Sequence, residues 1–160
     1  MLLKQLLPVL TTALILTACG GSQKPPASQP APPAADNSMV EDKPAAADPK
    51  GIGKFRDVPL THPLNEGMVQ QGKAVADLKC TSCHRLTGEK LVGPGWKGVT
   101  DRRTPEWIMN FITNVDEMLD KDAEAQAMLE TCMVRMPNQN LSDEDARAVL
   151  EFLRKNDGKN

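Results

Sequence analysis

The sequence predicts an all-α fold, and three observations predict it. Apolar residues recur at helical spacing in three separate stretches, around Met68–Ala76, Trp107–Val115 and Ala146–Leu153. Two of those stretches open on helix-start signals, Thr104-Pro105-Glu106 and Ser142 followed by Asp145. The alternation of strand and helix segments that would build a parallel sheet is absent. At 160 residues the chain holds one core plus appendages. Its 40% apolar and 25% charged residues describe a soluble globular chain, and 19 Lys+Arg against 21 Asp+Glu leave no basic excess for gripping the phosphates of a nucleic acid. Three Phe, two Trp and no Tyr leave the core short of its bulkiest fillers, so a buried prosthetic group is expected to supply that bulk.

In chain order, the first element is a leader. Lys4 precedes a mostly apolar run from Leu6 to Leu16, the length of a signal-peptide core and well short of the ~20 apolar residues of a spanning helix. The run ends Leu16-Thr17-Ala18-Cys19-Gly20, which resembles the bacterial lipoprotein box. That resemblance implies removal of residues 1–18 and a lipid on Cys19; an ordinary cleaved signal with an incidental cysteine is the alternative. Residues 19–60 read as a tether. From Gly20 to Lys50 the chain is rich in Pro, Ala, Ser, Gln and Asp, and it holds seven of the 13 prolines. Such a composition buries too little surface to offset its ordering entropy. Residues 61–160 are left as the globular domain.

The helical stretch after the tether carries Met68, Gly72, Val75, Ala76 and Lys79, and ends at Cys80-Thr81-Ser82-Cys83-His84. Two cysteines three apart with histidine next is the signature of c-type haem attachment. One helical turn brings both thiols to the vinyl groups on one side of a porphyrin, and the next residue sets His84 under the iron. One covalent haem c, on Cys80, Cys83 and His84, is therefore expected. A structural zinc site would have to complete four ligands from Cys132, His62 and carboxylates. A thioredoxin-like pair would want a strand and helix context, and cysteines this close make a poor disulfide staple.

From Leu64 to Lys155 the chain resembles the class I cytochromes c, in which the attachment motif lies early and a methionine ligand follows much later; here 76 residues follow His84. The cytochromes c′, with the motif near the C-terminus, fit less well. The resemblance implies about four helices wrapped around one covalent haem. It implies that Gly72 lets the first and last helices cross closely. The family's aromatic on that contact face is replaced here by Ala76, with Phe152 beside the stripe of the last helix, Ser142 to about Lys155. Gly93-Pro94-Gly95-Trp96 resembles the family loop whose proline carbonyl takes the proton of the haem histidine. The middle helix, with Trp107, Ile108, Phe111, Ile112 and Val115, is expected along one haem edge. Met136-Pro137 matches the family's ligand loop, which implies Met136 as the sixth ligand. Met133, one helical turn earlier, the thiolate of Cys132, or His62 are the alternatives, while Met118 and Met128 read as core filling. Arg102 or Arg103 could pair with haem propionates.

Iron held by His and Met on both sides implies electron transfer rather than catalysis, with no small-molecule substrate. The expected role is a membrane-tethered carrier in the bacterial cell envelope. Its domain would stand in the periplasm, on either membrane, passing single electrons between respiratory complexes and a terminal oxidase or reductase. A peroxidase-type enzyme or a haem sensor with an exchangeable Met136 is the rival. Charge is uneven: residues 79–103 sum to +4 and residues 116–130 to −5. The basic stretch, expected to line the haem, would steer docking onto an acidic partner; a solvated mixed surface is the alternative.

Overall fold

The computed structural model describes residues 48–160, so the leader 1–18, Cys19 and the tether to residue 47 lie outside the described residues. Within them are six helices and no strand: α1 (Glu66–Lys79), α2 (Val99–Arg102), α3 (Pro105–Thr113), α4 (Val115–Lys121), α5 (Ala123–Cys132) and α6 (Asp143–Asn156). None of these helices is long and apolar enough to cross a membrane.

Helix starts follow local chemistry. Asn65 caps α1 by accepting from the Met68 N–H at 3.0 Å, Thr104 caps α3 through the Trp107 N–H at 3.1 Å, and Ser142 caps α6 through the Asp145 N–H at 3.0 Å. Pro105 occupies the first turn of α3, where a missing N–H costs nothing. α6 therefore begins where the sequence places it. The middle helix is shorter than expected: it breaks at Asn114, and Val115 starts α4 instead.

The α1–α6 pair is the most extensive helix contact, and it is packed at Gly72. A Cβ built on Gly72 would lie 1.9 Å from the Ala148 carbonyl oxygen, so only glycine lets the two backbones approach this closely. Beside the crossing, Phe152 of α6 packs with Leu64, Val69, Ala76 and Cys80. The aromatic that the resemblance places on α1 is thus supplied from α6, against the small Ala76. The larger core gathers Trp107, Ile108, Met109, Val115, Met118, Leu119, Ala146, Val149, Leu150 and Leu153 from α3, α4 and α6.

The tether boundary drawn at residue 60 sits earlier in the structure. Residues 48–60 strap across α3 and α4, with Gly51 and Val58 buried and Ile52 and Phe55 packed against the core. Fully buried Asn110 holds the strap: its Oδ1 accepts from the Phe55 N–H at 2.9 Å, and its Nδ2 donates to the Lys50 and Phe55 carbonyls at 2.8 and 2.9 Å. Gly51 and Gly53 adopt φ of +65° and +155° there, and a Cβ on Gly53 would strike the Asn110 amide at 2.3 Å. A run poor in periodicity escapes a sequence reading because one polar side chain, not an apolar stripe, docks it.

A second buried polar group fastens residues 59–65 to α6. The fully buried Glu151 carboxylate accepts from Arg147 at 2.6 Å, Arg154 at 2.9 Å, the Thr61 hydroxyl at 2.7 Å and the Asn65 N–H at 3.0 Å. Burial alone would raise its carboxyl, but these four hydrogen bonds outweigh burial and hold it at about 2.

Two outcomes follow for stability. Gly72→Ala should lose about 2 kcal/mol, because overpacking at the crossing exceeds the ~1 kcal/mol gained in helix propensity, and the denaturation midpoint should fall accordingly. Glu151 ionises far below its ordinary 4.5, so its contribution is complete above that pH and is lost as pH falls toward 2. It should amount to about 3 kcal/mol, visible as a steep acid limb in stability against pH that flattens in Glu151→Gln.

Candidate functional site

The end of α1 turns directly into the motif. The Cys83 and His84 N–H groups both donate to the Cys80 carbonyl at 3.0 Å, so one tight turn carries both cysteines and the histidine. Cys80 is buried, Cys83 is half-buried, and neither is in a disulfide. Burial raises the Cys80 thiol above its ordinary range.

Beyond this turn two compartments adjoin. The larger takes in Cys80, Trp96, Ile108, Phe111, Leu141 and Val149 among its walls. The smaller is bounded by Cys83, Val92, Leu119, Leu129, Cys132 and Val134. His84, Pro94, Phe111, Met128 and Met136 line both. His84 and Met136 thus border the same apolar space, with Cys80 lining one part of it and Cys83 the other.

The His84 ring is held on two sides. Its Nδ1 meets the Pro94 carbonyl at 2.9 Å, which leaves Nε2 without a protein partner and orients the ring. Trp96 stacks on it with centroids 5.1 Å apart and planes 18° apart. Burial pushes the imidazole below its ordinary pKa, against the opposing pull of the Pro94 hydrogen bond, and keeps it in the neutral form that carries a lone pair. Gly93 makes the approach possible, since a Cβ there would sit 2.4 Å from the ring carbon Cε1. The loop after Trp96 is fixed from α6: Asp157 at its end accepts from the N–H of Gly98 at 2.6 Å and of Thr100 at 2.9 Å.

The alternatives for the far wall separate clearly in space. Met133 caps α5 in the left-handed region at φ +57°, and its side chain is 85% exposed. His62 lies on the surface with its Nδ1 against the Asn160 carbonyl at 2.9 Å, outside both compartments. Cys132 borders only the smaller compartment. Met118 is fully buried, and its sulfur accepts from the Ile52 N–H at 3.0 Å. Met128, expected as core filling, is half-buried and faces the shared space. Among the described residues no group of three His, Cys, Asp or Glu side chains could hold a metal ion, which removes the zinc alternative there.

Some functional positions escape the sequence reading. Asp122 counts there as one of six acids on a charged surface, yet it is buried. It caps α5 by accepting from the Ala125 N–H at 2.9 Å and takes the Trp107 indole N–H at 3.3 Å. It thereby ties the floor of the larger compartment to the helix that carries Met128 and Cys132. The signal was present as Ala125, Met128, Leu129 and Cys132, an i, i+3, i+4, i+7 stripe hidden inside an acidic stretch. Arg102 and Arg103 both border the larger compartment. Arg103 is engaged by Glu124 at 2.7 Å and lies over the Trp107 ring, whereas Arg102 reaches only the Lys97 carbonyl.

The donors fit a covalent haem: two thiols on one turn, a neutral imidazole with one nitrogen committed, and an apolar cleft whose lining includes a thioether. Comparison with known proteins agrees. The family model described as cytochrome c matches residues 69–157. The chain is similar to the solved cytochrome c from Rhodothermus marinus, with 33% identity over 69% of this chain and 98% of that one and a TM-score of 0.66. An engineered cytochrome c from the same organism matches at 32% identity over 70% and 100% of the two chains, with a TM-score of 0.66. The engineered protein bound to a carbene intermediate matches at 32% identity over the same shares, with a TM-score of 0.63. No curated protein matches the chain significantly.

Proposed function

This chain belongs to the cytochrome c family and binds haem c covalently, and from that premise we propose that it is a tethered one-electron carrier whose iron is closed by His84 and Met136. The bound haem supplies a reversible one-electron couple between ferric and ferrous iron. Everything else is done by the chain. Cys80 and Cys83 would hold the porphyrin by thioethers, His84 would offer Nε2 because Pro94 holds Nδ1, and Met136, which lines the same cleft, would offer a neutral sulfur.

The observation that carries the assignment is that His84 and Met136 border the same two compartments while Met133 points to solvent. A thioether favours the ferrous state more than a second imidazole or a thiolate would, so the potential is high. Two protein ligands also leave no open place for peroxide or oxygen, which argues for a carrier over an enzyme. The apolar walls keep water away, so the change of charge is met by fixed dipoles such as the Pro94 carbonyl.

The leader supports a place of work: a lipid on Cys19 would hold the domain in the periplasm. From there it would exchange electrons with respiratory membrane complexes and a terminal oxidase or reductase.

The reduced holoprotein should ignore carbon monoxide, and the oxidised form should show the weak far-red sulfur-to-iron band. Met136→Ala should lose the band, bind carbon monoxide and drop in potential, whereas Met133→Ala should change none of these. A wild-type protein that is high-spin and binds carbon monoxide would replace the carrier with a sensor or peroxidase. For the tether, Cys19→Ser should move the protein from membranes to the soluble fraction. Continued sedimentation with membranes would place the anchor elsewhere.

A further inference from the structure

We propose that Asn156 and Asp157, the last residue of α6 and its C-cap, are positioning residues for the haem iron: side by side they grip the two segments that carry His84 and Pro94, and so hold the hydrogen bond that orients His84. The proposal rests on the reading of His84 as an iron ligand and adds to it what governs that ligand from the end of the last helix.

The two segments are joined to each other by backbone bonds. The Gly93 N–H donates to the Cys83 carbonyl at 2.9 Å, the Trp96 N–H to the Arg85 carbonyl at 2.9 Å and the Lys97 N–H to the Thr87 carbonyl at 3.3 Å. In sequence, the 2.9 Å contact of His84 Nδ1 with the Pro94 carbonyl falls between the first two of these rungs. α6 then joins both segments to the core. Asn156 Nδ2 donates to the Leu86 carbonyl at 3.1 Å, two residues past His84. The neighbouring Asp157 carboxylate takes the other segment: its Oδ1 accepts from the Gly98 N–H at 2.6 Å, and its Oδ2 accepts from the Thr100 N–H at 2.9 Å and the Thr100 hydroxyl at 2.7 Å. Neither side chain borders the cleft, so both act through the loop they hold.

α6 alone does not account for an acid at this place. The carbonyl end of a helix carries partial negative charge and favours cations, as Arg154 and Lys155 in the last turn illustrate. The Asp157 oxygens serve instead the N–H groups at the start of α2, which no helical bond satisfies. What the acid contributes is therefore found in the loop. Slack at either grip lets the Pro94 carbonyl draw away from the imidazole. A weaker bond at Nδ1 makes His84 a poorer donor to iron, which favours the ferrous state.

Deuterium exchange of the His84 Nδ1 proton, followed by NMR in the reduced holoprotein, reads the grip directly. Asp157→Asn and Asn156→Ala should each speed that exchange about tenfold, and by more than they speed exchange of the Leu150 amide in the core. At an ambient potential near the midpoint, both should raise the ratio of ferrous to ferric protein about threefold; Asn156→Ala removes no charge, so its shift is not Coulombic. Thr100→Val, a milder change that takes one bond from Asp157, should fall between these variants and the wild type, and Thr100→Ser should match the wild type. Exchange at the wild-type rate in either Asp157→Asn or Asn156→Ala, or an acceleration no greater than that of Leu150, would overturn the grip and leave the pair as ordinary stabilising contacts. A wild-type His84 whose ring protons lack the large upfield shift of an imidazole facing a porphyrin would instead remove the ligand reading itself.

Discussion

The close crossing of α1 and α6 at Gly72 is the constraint on which the site depends. Both helices place their working residues at their C-terminal ends. α1 runs straight into Cys80, and α6 is followed by its C-cap Asp157, whose carboxylate holds the loop that follows Trp96. If the helices separated by the width of a methyl group, the motif turn and the Gly93–Trp96 loop would shift relative to one another. The hydrogen bond from Nδ1 to the Pro94 carbonyl spans that joint at 2.9 Å. The orientation of His84 is thus set by backbone packing two turns back along α1, where no side chain touches the cleft.

Around this crossing, buried polar groups do what apolar stripes cannot. Asn110 clamps the strap 48–60, Glu151 with its two arginines clamps residues 59–65, and Asp122 joins the start of α5 to Trp107. Each satisfies backbone or indole donors that would otherwise be buried without partners, and no buried side-chain polar atom among the described residues lacks one. Such fixings are directional, so they determine where irregular segments lie as well as that they are buried. The cost is dependence on protonation state, concentrated in Glu151.

These fixings mark the limit of what the sequence discloses. The helices with strong caps and stripes, α3 and α6, are legible at their starts because Thr104, Pro105 and Ser142 act through neighbours three residues away. The motif turn and the Gly-Pro loop are legible for the same local reason. The strap is not, because Asn110 and Phe55 are 55 positions apart and nothing in either segment announces the other. α4 and α5 were obscured by their acids: Asp122 reads as surface charge until its partners, the Ala125 N–H and the Trp107 indole, are seen. Phe152 is similar, since its place against Ala76 depends on how far two helices interpenetrate.

The shortage of aromatic residues acquires a physical meaning in this setting. The two Trp and Phe111 all line the cleft, and Trp107 stacks on Phe111 with centroids 5.0 Å apart. Three of the chain's five large rings thus stand on the walls of this cleft, while Phe55 and Phe152 pack elsewhere. Phe111, Ile112, Met128, Leu129 and Leu141 are only half-buried by protein, although all pack against the main core. A porphyrin between them would complete their burial at roughly 25 cal/mol per Å². Bound there, the haem would be a structural member of this core as well as a redox centre. A site built in this way is rigid where it matters for electron transfer, because the residues around the iron cannot relax without undoing the packing that holds the domain together.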